Sequence, residues 1–209
     1  LHKFIIHKKY NALLSILDNG FETIFPKKPI IEFQHISLNL IILKDNKMNE
    51  QTLTEFHKTT STLIDIINSF TEEQLNSVPN EGWTIGQFGE HLFKSYAFVS
   101  VLNGNTKTTT RPMEQKLGPI KNIFSDTTIK MKSPDAIIPS EDKINKAKLV
   151  NGLKKRIEQI KKAIQTQDLS LICIDFSIPE YGEFTRYEWI WFNIYHTQRH
   201  IQQLQSRFS

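Results

Sequence analysis

A single cysteine, Cys173, stands in the whole chain. A disulfide framework and a cysteine-rich zinc site are therefore excluded, and a reducing cytoplasm is the expected setting. Cys173 lies in LSLICIDFSIP, where a packed, unreactive thiol is expected, because reactive thiols need an electropositive, partly exposed environment. No apolar run approaches the ~18 residues of a membrane span; ISLNLIILK is short and is interrupted by Asn39. The opening LHKFIIHKKYNALLSIL lacks the clean apolar centre and small-residue cleavage site of a signal peptide. A dense Arg/Lys stripe with interleaved aromatics is also missing, so nucleic-acid binding is not expected. The formal charge of +4 is unevenly placed: residues 1–47 hold seven Lys and four acids, whereas 48–209 hold 19 Lys and Arg against 18 acids.

What is present suits one domain with an appendage: 209 residues, 39% of them apolar, with charges mixed in sign. The first residue is Leu and the next candidate start is Met48, where clear helical periodicity begins. Residues 1–47, which include the breaker FPKKP, are expected to be an extra segment outside the functional fold. From Met48 onward, Leu53, Phe56, Thr60, Leu63, Ile64 and Ile67 recur at spacings of three and four, predicting a helix over about 50–69 with a Thr52–Glu55 capping box. Thr84 and Gln87 form a second such box and open a helix over about 85–102, with Gly104 as its stop. Residues 103–139 show no long helical period; Phe124, Ile129 and Ile137 suggest that this long connection packs over the bundle. A third helix is expected to start behind Ser140 and to bury Ile144, Ala147, Val150, Leu153, Ile157, Ile160 and Ile164, its many lysines forming a solvated face. LSLICIDFSIPEYGEF reads as a short strand-like crossover, and Thr185 with Glu188 opens the last helix. The fold class is therefore all-α, a four-helix bundle with a long crossover loop between the second and third helices.

That last helix contains HTQRH. On a helical wheel Trp189, Phe192, Asn193, His196, Arg199, His200 and Gln203 cluster within about 60° of His196. Two imidazoles thus project from one face, one turn apart, among aromatics. His91 falls on the inward face of the second helix with Gln87, Phe88, Ser95, Phe98 and Leu102. Histidines at i and i+4 can share one ion, and a third from a facing helix would complete a three-nitrogen set that leaves a position for water or substrate. The spacing by itself is equally compatible with core histidines that hydrogen-bond inside the bundle.

GWTIGQFGEHLFKS, followed much later by EWIWFNIYHTQRHIQQL, resembles the DinB-like superfamily of bacterial four-helix metalloproteins, over about 48–209. The resemblance implies a divalent metal ion (Zn, Ni, Fe or Mn) held by His91, His196 and His200, with His57 outside the set. It also implies one of two activities: a thiol-dependent S-transferase using a low-molecular-weight thiol, or a hydrolase using metal-bound hydroxide; a non-catalytic metal-binding bundle is the further alternative. No carboxylate is clearly placed as a general base, since Glu90 points about 100° from His91 and Glu188 lies two turns from His196. This favours the transferase, in which the catalytic species is a thiolate rather than a side chain. Asn193, Gln203 and Arg199 are the expected cofactor-binding residues, the first two orienting the imidazoles and Arg199 either neutralising an anionic substrate or thiol or forming a structural ion pair. A small-molecule substrate, no membrane partner, a cytoplasmic location and a homodimer complete the expectations.

Overall fold

Apolar side chains at every third or fourth position build four rods, and short polar motifs decide where each begins. The computed structural model describes residues 27–208, with side chains described for Lys44 and from Asn46 onward. The chain divides into two compact units, Leu1–Lys47 and Met48–Ser209; the second carries the bundle.

Helix α1 spans Lys27–Ser69. Its start lies well before the expected position near residue 50. Pro29 is the third residue of the helix, where no intrahelical N–H bond is required of it, so it does not break the element. Thr52 consequently sits in the helix interior instead of capping it: its hydroxyl donates to the Met48 carbonyl at 2.8 Å and accepts from Trp191 Nε1 at 3.0 Å. The expectations for residues 1–26 fall outside the described residues. Phe56, Thr60, Leu63, Ile64 and Ile67 face the core as the periodicity predicted.

A short helix α2, Glu72–Leu75, leads into α3, Ile85–Ser95, whose Thr84–Gln87 capping box is fully formed. One 3-10 turn, Tyr96–Phe98, joins α3 to α4, Val99–Leu102, so the expected second rod is present with a tightened middle turn. Strand β1, Thr106–Lys107, pairs antiparallel with β2, Ile172–Cys173, which ties the long connection to the later crossover. Cys173 is fully buried, and burial pushes its thiol up to about 11, in keeping with an inert packing role.

The long connection also contains a helix that its sequence pattern conceals. α5 spans Leu117–Ser125 and packs along the last helix. Gly118 and Pro119 look like breakers, yet both fall in its first turn, the same circumstance that spares Pro29. Helix α6, Lys146–Thr166, is capped by Asn145, whose side chain accepts from Lys148 N, and not by Ser140. Leu149 is buried in it, whereas Ala147 is exposed. Helix α7, Arg186–Phe208, completes the bundle. Among the described residues no helix is long and apolar enough to cross a membrane.

Glu188, fully buried at the start of α7, holds this architecture together. Its carboxylate accepts from Thr185 N at 2.9 Å, closing the expected capping box. It also accepts from Lys116 N at 2.9 Å and from both terminal nitrogens of Arg111 at 2.7 and 2.6 Å. One carboxylate thereby caps α7 and anchors the connection ahead of α5. Removing one partner of a buried pair leaves an uncompensated charge. Arg111→Leu is expected to lower unfolding free energy by about 3 kcal/mol, read from urea denaturation, and adding Glu188→Gln should recover part of that loss.

Candidate metal centre

Helix α7 presents His196 and His200 one turn apart, and α3 brings His91 against them. His196 Nε2 lies 3.0 Å from His91 Nε2 and 2.9 Å from His200 Nε2. All three are buried, at 1%, 8% and 9% exposure for His91, His196 and His200. Their rings stand edge to face, at 75–80° to one another. One nitrogen from each ring thus lies within 4.8 Å of the other two, while the rings splay apart.

The outer nitrogens fix the tautomers. His91 Nδ1 donates to the Ile137 carbonyl at 2.8 Å, and His200 Nδ1 donates to Gln203 Oε1 at 2.7 Å. Each of these neutral rings thus turns an Nε2 lone pair inward. His196 Nδ1 is buried with no hydrogen-bond partner. If the His196 proton is on Nδ1, a buried donor is orphaned and three lone pairs converge. If it is on Nε2, one hydrogen faces two lone pairs and Nδ1 is left an orphaned acceptor. Each alternative carries a penalty of about 1–3 kcal/mol for an unmet buried polar group. A divalent cation resolves the crowding of lone pairs, leaving only the His196 Nδ1 donor unmet, since two imidazole nitrogens bound at ~2.0–2.1 Å to one ion lie roughly 3 Å apart. The residues present fit such an ion.

Burial lowers the affinity of all three rings for protons. Desolvation, followed by the charges of the neighbouring rings, holds His196 well below the usual imidazole range. His200 is pushed down to about 3, chiefly by burial and then by His91. His91 is lowered mainly by burial, partly offset by its hydrogen bond to Ile137. The donor set consequently stays unprotonated at neutral pH, as metal ligation requires.

The surroundings are aromatic. Trp83 packs at 4.8 Å from the His91 ring and 6.4 Å from His200; Phe88 lies 5.5 Å from His200 and Phe124 5.6 Å from His196. Among the described residues the cluster includes no carboxylate. Glu90 turns away to accept from Ser140 N and Oγ at 2.7 and 3.0 Å; burial tends to raise its pKa, but those bonds and Lys94 hold it below the usual value. Glu188 is committed to Arg111 and the α7 cap.

Of the residues expected to bind a cofactor, Gln203 is at the cluster, holding His200. Arg199 has a different task. It is 5% exposed, and its terminal nitrogens donate to the carbonyls of Phe124 at 3.3 Å, Asp126 at 2.6 Å and Ile129 at 2.5 Å. It thereby satisfies carbonyls at and beyond the end of α5, which favours the structural of its two expected roles over the anion-binding one, with carbonyls in place of an ion-pair partner. Asn193 donates to its own helix at Trp189 O, 3.0 Å away, so its amide is spent on the backbone and not on an imidazole. Gln87 and Ser95 likewise bond to backbone, at Ser140 O and Leu92 O. His57 is exposed beside Ser61 and takes no part in the cluster.

Two participants escaped the sequence reading. Ile137 acts through its carbonyl, which no side-chain pattern can reveal. Trp83 stood in the quoted GWTIGQ motif, immediately before the capping box, and its position there was the available signal.

The sign of the histidine shifts yields a stability prediction. The folded His200 takes a proton only near pH 3, whereas an unfolded histidine does so near 6.5. Stability of the metal-free protein is therefore complete above about pH 6.5 and falls as pH drops toward 3. Urea midpoints measured with a chelator present should decline with acidification from neutral pH, and His200→Gln should flatten that decline.

The family model of the DinB superfamily matches residues 55–204. Among solved structures the chain is similar to YfiT from Bacillus subtilis, described as a probable metal-dependent hydrolase with an unusual four-helix bundle topology. The identity is 15% and the TM-score 0.48, covering 76% of this chain and 84% of YfiT. No curated protein matches the sequence.

Proposed function

The chain belongs to the DinB superfamily, and from the three imidazoles that converge in its bundle we propose that it is a metal-dependent enzyme acting on small molecules, a thiol-dependent S-transferase. The observation that carries this reading is the set of inward Nε2 atoms, 2.9 and 3.0 Å apart, with no carboxylate among them. When bound, a divalent ion would supply Lewis acidity, lowering the pKa of a thiol so that a nucleophile exists at neutral pH.

The chain's own residues prepare that chemistry. Ile137 and Gln203 hold His91 and His200 in the ligating tautomer. Trp83, Phe88 and Phe124 line the cluster with apolar surface, which strengthens electrostatic interactions there by keeping water out. With Glu90 and Glu188 both committed elsewhere, the cluster has no side-chain carboxylate among the described residues to act as general base. That absence favours a thiol, which can reach its reactive form by ionisation alone, over water, whose activation for hydrolysis usually enlists a base. The sulfur then forms a bond to an electrophilic carbon as the leaving group departs with the bonding electrons.

Metal content is the first test. Protein purified without a histidine tag should hold close to one divalent ion per chain, and His196→Ala should lose it. Gln203→Leu should weaken ion affinity by about ten- to hundredfold while retaining the fold, as removal of a ligand's orienting partner does in other sites. Loaded protein should then transfer a low-molecular-weight thiol to a model electrophile. Hydrolysis of an amide or ester panel without thiol turnover would instead establish the hydrolase.

A further inference from the structure

Helix α7 carries a second arginine on the face of its histidines. Arg207 lies seven residues beyond His200, and helical side chains lean toward the amino-terminal end. Its guanidinium carbon is 5.7 Å from the centre of the Phe88 ring, and that ring is 5.5 Å from His200. On its other side the guanidinium rests on Gly82, where a Cβ would come within 2.7 Å of Nη1. Gly82 has φ +78°, a conformation that glycine adopts freely and other residues resist. The next residue, Trp83, packs directly against His91. The charge is thus seated one ring outward from the imidazoles, on a glycine that leaves room for it.

The guanidinium is also unspent. Among the described residues Arg207 has no hydrogen-bond or ion-pair partner, so its five N–H donors remain available. Arg199, on the same helix, has both terminal nitrogens committed to carbonyls. An arginine that merely complemented the helix dipole would face the last carbonyls of α7; this one leans over Phe88 and Gly82.

We propose that Arg207 is the specificity-determining cation of this site. It binds the carboxylate of an acidic small molecule whose other end reaches the three imidazoles. The proposal rests on the S-transferase reading, in which that ligand is an acidic thiol.

The test compares mercaptobutyrate with mercaptobutyramide, which differ only in the charged end, by calorimetry on the full zinc-loaded chain. Wild type should bind the acid about tenfold more tightly, the scale of a charge-assisted hydrogen bond at a partly wet site. Arg207→Gln should bring that ratio close to one. Gly82→Ala should do the same although the arginine is still present, because the seat is closed. Equal binding of acid and amide to wild type, or a preference that survives Arg207→Gln, overturns the proposal. If neither thiol binds, the thiol reading falls, and the arginine is judged separately by tryptophan fluorescence with benzoate against benzamide. A response to benzoate that is lost in Arg207→Gln supports the anion site, and an equal or absent response overturns it.

Discussion

His196 Nε2 faces one neutral ring at 3.0 Å and another at 2.9 Å, and no arrangement of protons satisfies all three rings. Two have their tautomers fixed from outside, by a backbone carbonyl and an amide oxygen, so the conflict is concentrated on the third. A core that wanted only packing would place leucine at these positions, since buried polar groups without partners oppose folding. The bundle instead keeps three titratable groups buried, discourages their protonation, and gathers one nitrogen from each within 4.8 Å of the others. This is the arrangement expected of a site shaped for a cation, and the surrounding contacts serve to hold it.

The long connection between α4 and α6 is part of that support. Arg199 fixes the carbonyls of Asp126 and Ile129, His91 takes Ile137, Lys94 takes Ile138, and Glu90 takes Ser140. Residues on α3 and α7 thus grip the connection at successive points, and one of those grips also orients a ligand. The connection thereby delivers the Ile137 carbonyl to a particular imidazole nitrogen. Loops of such length in compact domains are usually functional, and this one orients an imidazole of the buried cluster.

The legibility of the fold and site divides along physical lines. Capping boxes at Thr84 and Thr185 were readable because both partners are side chains three residues apart. The triad was readable because helical periodicity places His196, His200 and His91 on inward faces. Thr52–Glu55 misled because the same pair occurs inside a helix, where the hydroxyl simply bonds one turn back. Pro29, within the breaker FPKKP, misled because proline breaks a helix only after its first turn. Arg199 and Asn193 share the histidine face on a wheel, but a wheel does not say which carbonyls lie within reach. Tertiary partners decided their roles, and those partners sit on α5 and on the turn after it, a region with no periodicity to read.

Two arginines eight residues apart show how one helix face divides its work. Arg199 is enclosed beside the cluster, and a buried guanidinium there, left unpaired, would repel a cation held by the imidazoles. Its terminal nitrogens instead donate to carbonyls at and beyond the end of α5, and its charge helps to hold His196 and His200 unprotonated. Arg207 lies farther out, where solvent screens it from the cluster and where its charge can remain unpaired at little cost. Position along α7 therefore sets function: near the imidazoles the guanidinium is taken up by backbone carbonyls, and at the rim it is free for a ligand. The glycine with positive φ at residue 82 belongs to the same logic, because only a backbone without a side chain lets the outer guanidinium approach the ring wall of the site.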